Sequence, residues 1–488
     1  MAVLILLCSW ALTRPAQATT PNPGAWVRVH QPHSEKKRPS EGGEQKIIEA
    51  SGVPKASIGF ALYDLDNTKL ISGHHAQRPT APASAAKIPT TVAALTVLGS
   101  NHRFETTMAM TGHVNSQGVL EGNIHLTGDG DPFFHFGHLM GFADQLRKRG
   151  IRKISGGFYY DGTALPDKPF ISSEFNRHKT FNPGIGALSI EFNRFHLAWR
   201  IGKKRRLIVR TTPPVDHFRV MIDSSGGRGR VRYRPAQSGP EGRESWRIQN
   251  RGKRSGSSWL PVQNANLYTA RMLRYFAANR EVELPAPQPA HTPAKAQIIH
   301  RHQGRTLVDL AEGALEYSNN LTAELISLAT ARRIAKGSRI DSLETAAEII
   351  RQWFVKQHPK IDWRGFHLQN GSGLSRKTRI TPRQMVEILA EADLLYFDGR
   401  TYATLLPIAA WKGTLLHRLP GATTSMKVWA KTGTTNDVRA MAGYLLSHQG
   451  RGLSFSIQIS RPKGGGKGWK TRADRLVQRL TAYWVKRH

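Results

Sequence analysis

Pro82-Ala-Ser-Ala-Ala-Lys-Ile-Pro-Thr-Thr-Val-Ala-Ala-Leu-Thr-Val-Leu-Gly99 is the stretch on which the reading of this chain turns. A Pro/Ala turn leads into apolar residues Ile88, Val92, Leu95 and Leu98 at spacings of four, three and three, which predicts a helix beginning near Ser84 and stopping at Gly99. Ser84 and Lys87 then share one face. A serine hydroxyl is a poor nucleophile at neutral pH, and a Lys three residues on in a helix reaches back to it as a base. Lys87 can act only when neutral, a form that burial and nearby positive charge favour. Ser-x-x-Lys alone is a weak signal, and the chain holds two more copies, Ser34 to Lys37 and Ser460 to Lys463. Neither has a turn before it and an apolar-periodic segment after it.

Two further motifs follow in order, Ser318-Asn-Asn320 and Lys431-Thr-Gly433. Ser318 and Asn320 fall at a turn between helical patterns, Leu307 to Leu315 and Leu321 to Ile334, where both side chains can point into a cleft. Ser318 would relay a proton, and Asn320 would fix Lys87 and a substrate amide. Lys427 to Gly433 reads as a strand, so Lys431 and Gly433 face one side and Thr432 the other. Gly433 is expected to leave room for substrate. A bare strand can pair with a bound peptide, and Lys431 with Thr434 can address a terminal carboxylate. The expected oxyanion hole is the backbone N–H of Ser84 and of Thr434.

The 488-residue length allows a large core and two or three domains. Ala2 to Leu12 followed by Ala16-Gln-Ala18 reads as a signal peptide, 1–18, with a membrane anchor as the alternative. Eleven residues are too few to span comfortably. Loss of that segment removes Cys8, the only cysteine, and excludes thiol catalysis and disulfides from the remainder. Residues 19–46 are basic and Pro/Ser-rich, a flexible segment. Residues 47–100 and 296–488 read as one unit of the α/β (α+β) class, an antiparallel sheet flanked by helices. The hairpin 57–71, the meander 427–459 and the amphipathic segment Leu476 to Trp484 belong to it. Residues 101–295 read as a mostly β insertion, with Pro285 to Pro293 a stiff connector. Formal charge of +35 falls to +34 without Arg14, which predicts attraction to anionic cell-envelope polymers. Repeated Arg in solvated loops gives no specific nucleic-acid reading. Asp129 and Asp131 read as a Gly/Asp/Pro turn rather than a metal site, and the His residues form no zinc spacing.

The three motifs in this order, together with Gly128-Asp-Gly-Asp-Pro132, Ala187-Leu-Ser-Ile-Glu-Phe-Asn193, Ser318 to Glu324, Asn370-Gly-Ser-Gly-Leu-Ser-Arg376 and Ala430 to Thr434, closely resemble class C penicillin-binding proteins. These are serine-type D-alanyl-D-alanine carboxypeptidases and endopeptidases. The resemblance covers residues 47–488. It implies a penicillin-binding domain interrupted by a long insertion, acylation of Ser84 by peptidoglycan stem peptides and by β-lactams, a periplasmic location and no cofactor. It also implies substrate side-chain contacts from Asp161 and Arg376, with Asn436 a third candidate. The family often has an aromatic at position 165, where this chain has Leu165, and more commonly Gly where this chain has Asp129. A β-lactamase is the rival enzyme, and it would want a Glu-x-x-Leu-Asn signature that this chain lacks between its second and third motifs. A non-catalytic wall-binding protein is the rival from another class.

Overall fold

A computed structural model describes residues 42–488 except 203, 205, 224–226, 237, 238, 240, 241 and 467. Residues 1–18, read above as a signal peptide, and most of the segment 19–46 lie outside the described residues, as does Ser34 to Lys37. Gly43–Glu49 is a helix, so the last four residues assigned to the flexible segment are ordered. Packing explains this. Ile48 is buried in one cluster with Trp484, Glu44 accepts from Trp484 Nε1 and from Ser72 Oγ, and a Cβ on Gly43 would lie 2.2 Å from the Tyr483 hydroxyl.

The central sheet is antiparallel in the order 428–434, 438–446, 452–460, 58–64 and 69–74, so the N-terminal hairpin pairs with the last strand of the C-terminal meander. Alternation along 452–460 decides what covers each face. Leu453, Phe455, Ile457 and Ile459 join a core with Leu476, Leu480 and Trp484 of the C-terminal helix Trp469–Arg487. Ser454 faces the other way and donates to the Val386 carbonyl of helix Pro382–Asp393, which also receives the Tyr444 hydroxyl at Leu389. Trp484 is fully buried against Phe60 and Phe455. Trp484→Ala should therefore lower stability by about 3–5 kcal/mol in urea denaturation, and an unchanged midpoint would contradict this packing. Among the described residues no helix is long and apolar enough to cross a membrane.

The inserted stretch builds a five-stranded sheet in the order 287–289, 158–161, 124–128, 103–110 and 297–306. Because 297–306 pairs with 103–110, this sheet extends past residue 295, and the chain rejoins the helical layer at Leu307. The Pro-rich connector is corrected in part. Pro287–Pro289 is an edge strand beside Phe158–Tyr160, a position that tolerates the missing N–H of proline. Helices Phe136–Lys148 and Ala265–Ala278 share the core of this stretch through Phe142, Leu146, Leu273 and Phe276. Among the described residues three smaller three-stranded sheets complete it: 207–212, 194–201 and 255–261; 218–223, 244–249 and 232–236; and 113–114, 119–121 and 153–154.

Candidate active site

The chain enters the site through a tight turn. Ala83–Ala86 is a 3₁₀ turn and the α-helix starts at Lys87, three residues later than the sequence pattern predicts. Ala83 has φ 48°, a left-handed conformation that costs a side-chain-bearing residue about 1–3 kcal/mol. Two glycines from distant segments hold the turn. A Cβ on Gly433 would fall 2.2 Å from the Pro82 carbonyl oxygen, and one on Gly373, at φ 74°, would fall 2.1 Å from that of Ala83. The bare backbone of Gly433 thus makes room for the serine turn.

Lys87 is wholly buried. Its Nζ donates to Ser84 Oγ at 3.2 Å, Asn320 Oδ1 at 2.7 Å and the Ser372 carbonyl at 2.8 Å, three acceptors for the three donors of an ammonium. Burial pulls its pKa from an ordinary 10.5 to about 7, against the opposing charge of Glu324. Glu324 is also wholly buried and accepts from the N–H groups of Gly371 and Ser372, each at 2.9 Å. Burial raises its pKa, opposed by those hydrogen bonds and by Lys87. Thr90 Oγ1 donates to the Gly371 carbonyl at 2.7 Å, tying the nucleophile helix to the same loop. Sequence reasoning singled out neither Glu324 nor Ser372. For Glu324 a signal existed: it stands four residues after Asn320 in helix Asn320–Ile334, hence on the same face.

Asn320 is buried, and its Nδ2 donates to the Phe181 carbonyl of the inserted stretch at 2.8 Å. Ser318 lies on the preceding turn at φ 57°, half-buried, and among the described residues makes no side-chain hydrogen bond to Ser84 or Lys87. Lys431, on strand Val428–Thr434, is wholly buried and donates to the Thr432 carbonyl at 2.9 Å. Among the described residues it has no carboxylate partner, and burial, then the charges of Lys87 and Arg418, hold its pKa well below the usual lysine range. Thr432 Oγ1 donates to Thr414 Oγ1. On the outer side of this edge strand, the Val428 carbonyl and the Ala430 N–H are paired with Ala409 and Pro407. Toward Thr434, which is exposed, no strand among the described residues continues that pairing.

The remaining candidates lie apart. Arg376 is half exposed, its Nε donating to Asp437 at 3.0 Å and its backbone N–H to Glu174 at 2.9 Å, so it joins the inserted stretch to the turn after the Lys431 strand. Asn436 is exposed and accepts from Lys470 Nζ of the C-terminal helix at 3.1 Å. Asp161 ends strand Phe158–Asp161, where its carboxylate accepts from Thr163 Oγ1 at 2.6 Å, Thr163 N at 3.1 Å and Thr292 N at 2.8 Å. Burial pushes its pKa up, but these bonds outweigh it and the net direction is down. No hydrogen bond among the described residues joins Asp161 to Ser84, Lys87, Asn320 or Lys431. Asp131 accepts from Phe133 N as an Asx turn. Among the described residues no three His, Cys, Asp or Glu are grouped to hold a metal.

A buried Lys wedged between a serine hydroxyl and an asparagine, beside a strand carrying a second buried Lys, is the arrangement of a serine acyl-transfer site. Residues 45–483 match the sequence model of the D-Ala-D-Ala carboxypeptidase 3 (S13) family. The chain belongs to that family. Among its relatives, the D-alanyl-D-alanine carboxypeptidase DacB of Haemophilus influenzae is 27% identical over 89% of this chain and 90% of its own length. The D-alanyl-D-alanine carboxypeptidase of an Actinomadura species is 24% identical over 84% and 79%. The crystal structure of penicillin binding protein 4 from Haemophilus influenzae superposes with a TM-score of 0.78 at 22% identity, covering 91% of this chain and 99% of that one. A predatory endopeptidase of Bdellovibrio bacteriovorus shares the fold more distantly, with a TM-score of 0.51 at 15% identity over 88% and 92%. This S13 member is thus a serine-type D-Ala-D-Ala carboxypeptidase with the mixed α/β fold of penicillin-binding proteins.

Proposed function

We propose that Ser84 is the nucleophile, Lys87 its base, and the strand Lys431 to Thr434 the cradle of the substrate's terminal carboxylate. The observation that carries this reading is the Lys87 amine, shared among Ser84, Asn320 and Ser372 with its pKa near 7. A base poised there passes protons in both directions at neutral pH. Lys87 takes the Ser84 proton as Oγ bonds to the carbonyl carbon of the penultimate D-Ala. The N–H groups of Ser84 and Thr434 stabilise the oxyanion. The C–N bond then breaks, the proton passes to the departing D-Ala amine directly or through Ser318, and water cleaves the ester to restore Ser84. An arriving carboxylate would favour the charged form of Lys431, whose charge in turn favours neutral Lys87. Arg376, Asp161 and Asn436 are the candidates to meet the stem-peptide side chain.

The same chemistry applied to a cross-linked peptide is DD-endopeptidase activity, and applied to a β-lactam it gives a covalent adduct. The leader and the anionic surroundings implied by the charge support a periplasmic setting. The test uses muropeptides with product mass spectrometry. Pentapeptide monomers should yield tetrapeptide and free D-Ala, cross-linked dimers should yield monomers, and penicillin should add once, on the peptide containing Ser84. Penicillin bound elsewhere, or pentapeptide left intact by folded protein, would overturn the assignment.

A further inference from the structure

Charge is not spread evenly along this chain. Residues 194–261 carry seventeen Arg or Lys against four Asp or Glu. Within that segment, the sheet of 218–223, 244–249 and 232–236 has one buried and one open face. Trp246 and Ile248 are buried, with Phe218, Val220, Ile222 and Tyr233 packed against the same core. Strand alternation therefore turns Arg219, Arg247, Arg232 and Arg234 outward, and all four are exposed. None is ion-paired among the described residues, and Asp223 is the one acid on this face. Arg234 and Arg247 stand directly opposite each other on neighbouring strands. At that position Cβ atoms are about 4.5–5.5 Å apart and like charges destabilise the sheet.

From this face the positive charge continues toward the active site. Arg234 is close enough to His178 that its charge, after burial and alongside Lys179, depresses the imidazole pKa. His178 lies in the loop whose Glu174 receives Ser375 and Arg376 and whose Phe181 carbonyl receives Asn320.

We propose that this four-arginine sheet face binds a phosphate-bearing polymer of the cell envelope and holds it beside the catalytic mouth. Phosphate fits the face because its tetrahedral oxygens and any bridging oxygens can be divided between two facing guanidinium forks, whereas one fork takes up both coplanar oxygens of a carboxylate. The face presents no aromatic side chain, since Tyr233 points inward and its hydroxyl is bonded by Trp199 Nε1, so bases have no platform to stack on. Apart from Met221 and Ala236 it offers nothing apolar to enter a bilayer.

Binding is measured without turnover, so it stands or falls apart from the peptidase assignment. The probe is long-chain sodium polyphosphate, titrated into the whole protein at 50 to 200 mM salt, approximate limits within which counterion release is readily seen. Four neutralised phosphates give a slope of log K against log salt of about −3, or roughly a 50-fold loss across that range. Arg219→Gln, Arg232→Gln, Arg234→Gln and Arg247→Gln together should abolish binding while leaving D-Ala release from a soluble pentapeptide unchanged. A control with Gln at Arg333, Lys336, Lys356 and Lys360, exposed cations elsewhere, removes the same formal charge and should still bind. Equal losses in both variants would reduce the effect to net charge and overturn the proposal. So would tighter binding to duplex DNA of equal phosphate number, or binding confined to anionic phospholipid vesicles.

Discussion

Ser84→Ala should form no penicillin adduct at all, having lost the oxygen that is acylated, and Lys87→Met should slow acylation of Ser84 by about 10²–10⁴-fold. The expectation follows from the 3.2 Å contact between the two side chains. Without the serine oxygen there is no acyl bond to form, and without its base the hydroxyl attacks only as a poor nucleophile. Met is the suitable replacement at 87 because the site is closed to water and takes a long unbranched chain. It still leaves Asn320 Oδ1 and the Ser372 carbonyl without their donor, at about 1–3 kcal/mol each. Thermal melting of both variants distinguishes that cost from the catalytic one. Stopped-flow acylation of folded Lys87→Met within tenfold of wild type would remove Lys87 from the role of base, and a covalent penicillin adduct on Ser84→Ala would remove Ser84 from the role of nucleophile.

Much of this site was legible as sequence because its chemistry is local. Ser84 and Lys87 lie one turn apart, the Lys431 strand alternates plainly, and the apolar residues 476 to 484 announce the buried face of the last helix. What escaped was set by contacts between distant segments. The left-handed Ala83 and the packing of Gly433 on the serine turn depend on two chain segments, more than 280 and 340 residues away, pressing on one turn. The Ser372 carbonyl is a backbone group, and no residue type encodes it. Strand Pro287–Pro289 looked like a connector because proline is rare in sheets, and only its edge position permits it. Asp161 was carried from the resemblance alone, and its carboxylate is spent on its own loop and Thr292.

Glu324→Gln should move the acid limb of the acylation rate to lower pH and lower its plateau. Lys87 works unprotonated, so in the wild type the rate rises with pH through about 7 and levels off above it. The negative charge of Glu324 opposes the effect of burial and keeps Lys87 more basic than burial alone would. Neutral Gln withdraws that support, the protonated form of Lys87 becomes harder to hold, and neutral base persists to lower pH. The plateau falls for two reasons: a weaker base accepts the Ser84 proton less readily, and one of the Gly371 and Ser372 N–H groups loses its acceptor, loosening the carbonyl that holds Lys87. Glu324→Asp keeps the charge but shortens the reach, so it should lower the plateau with much less movement of the limb. Because Lys87 and Glu324 titrate as a pair, the limb belongs to both, and it is its displacement between Glu and Gln that reports the coupling. A Gln variant with a reduced plateau and an unmoved limb would make Glu324 a purely structural clamp for the 370–374 loop.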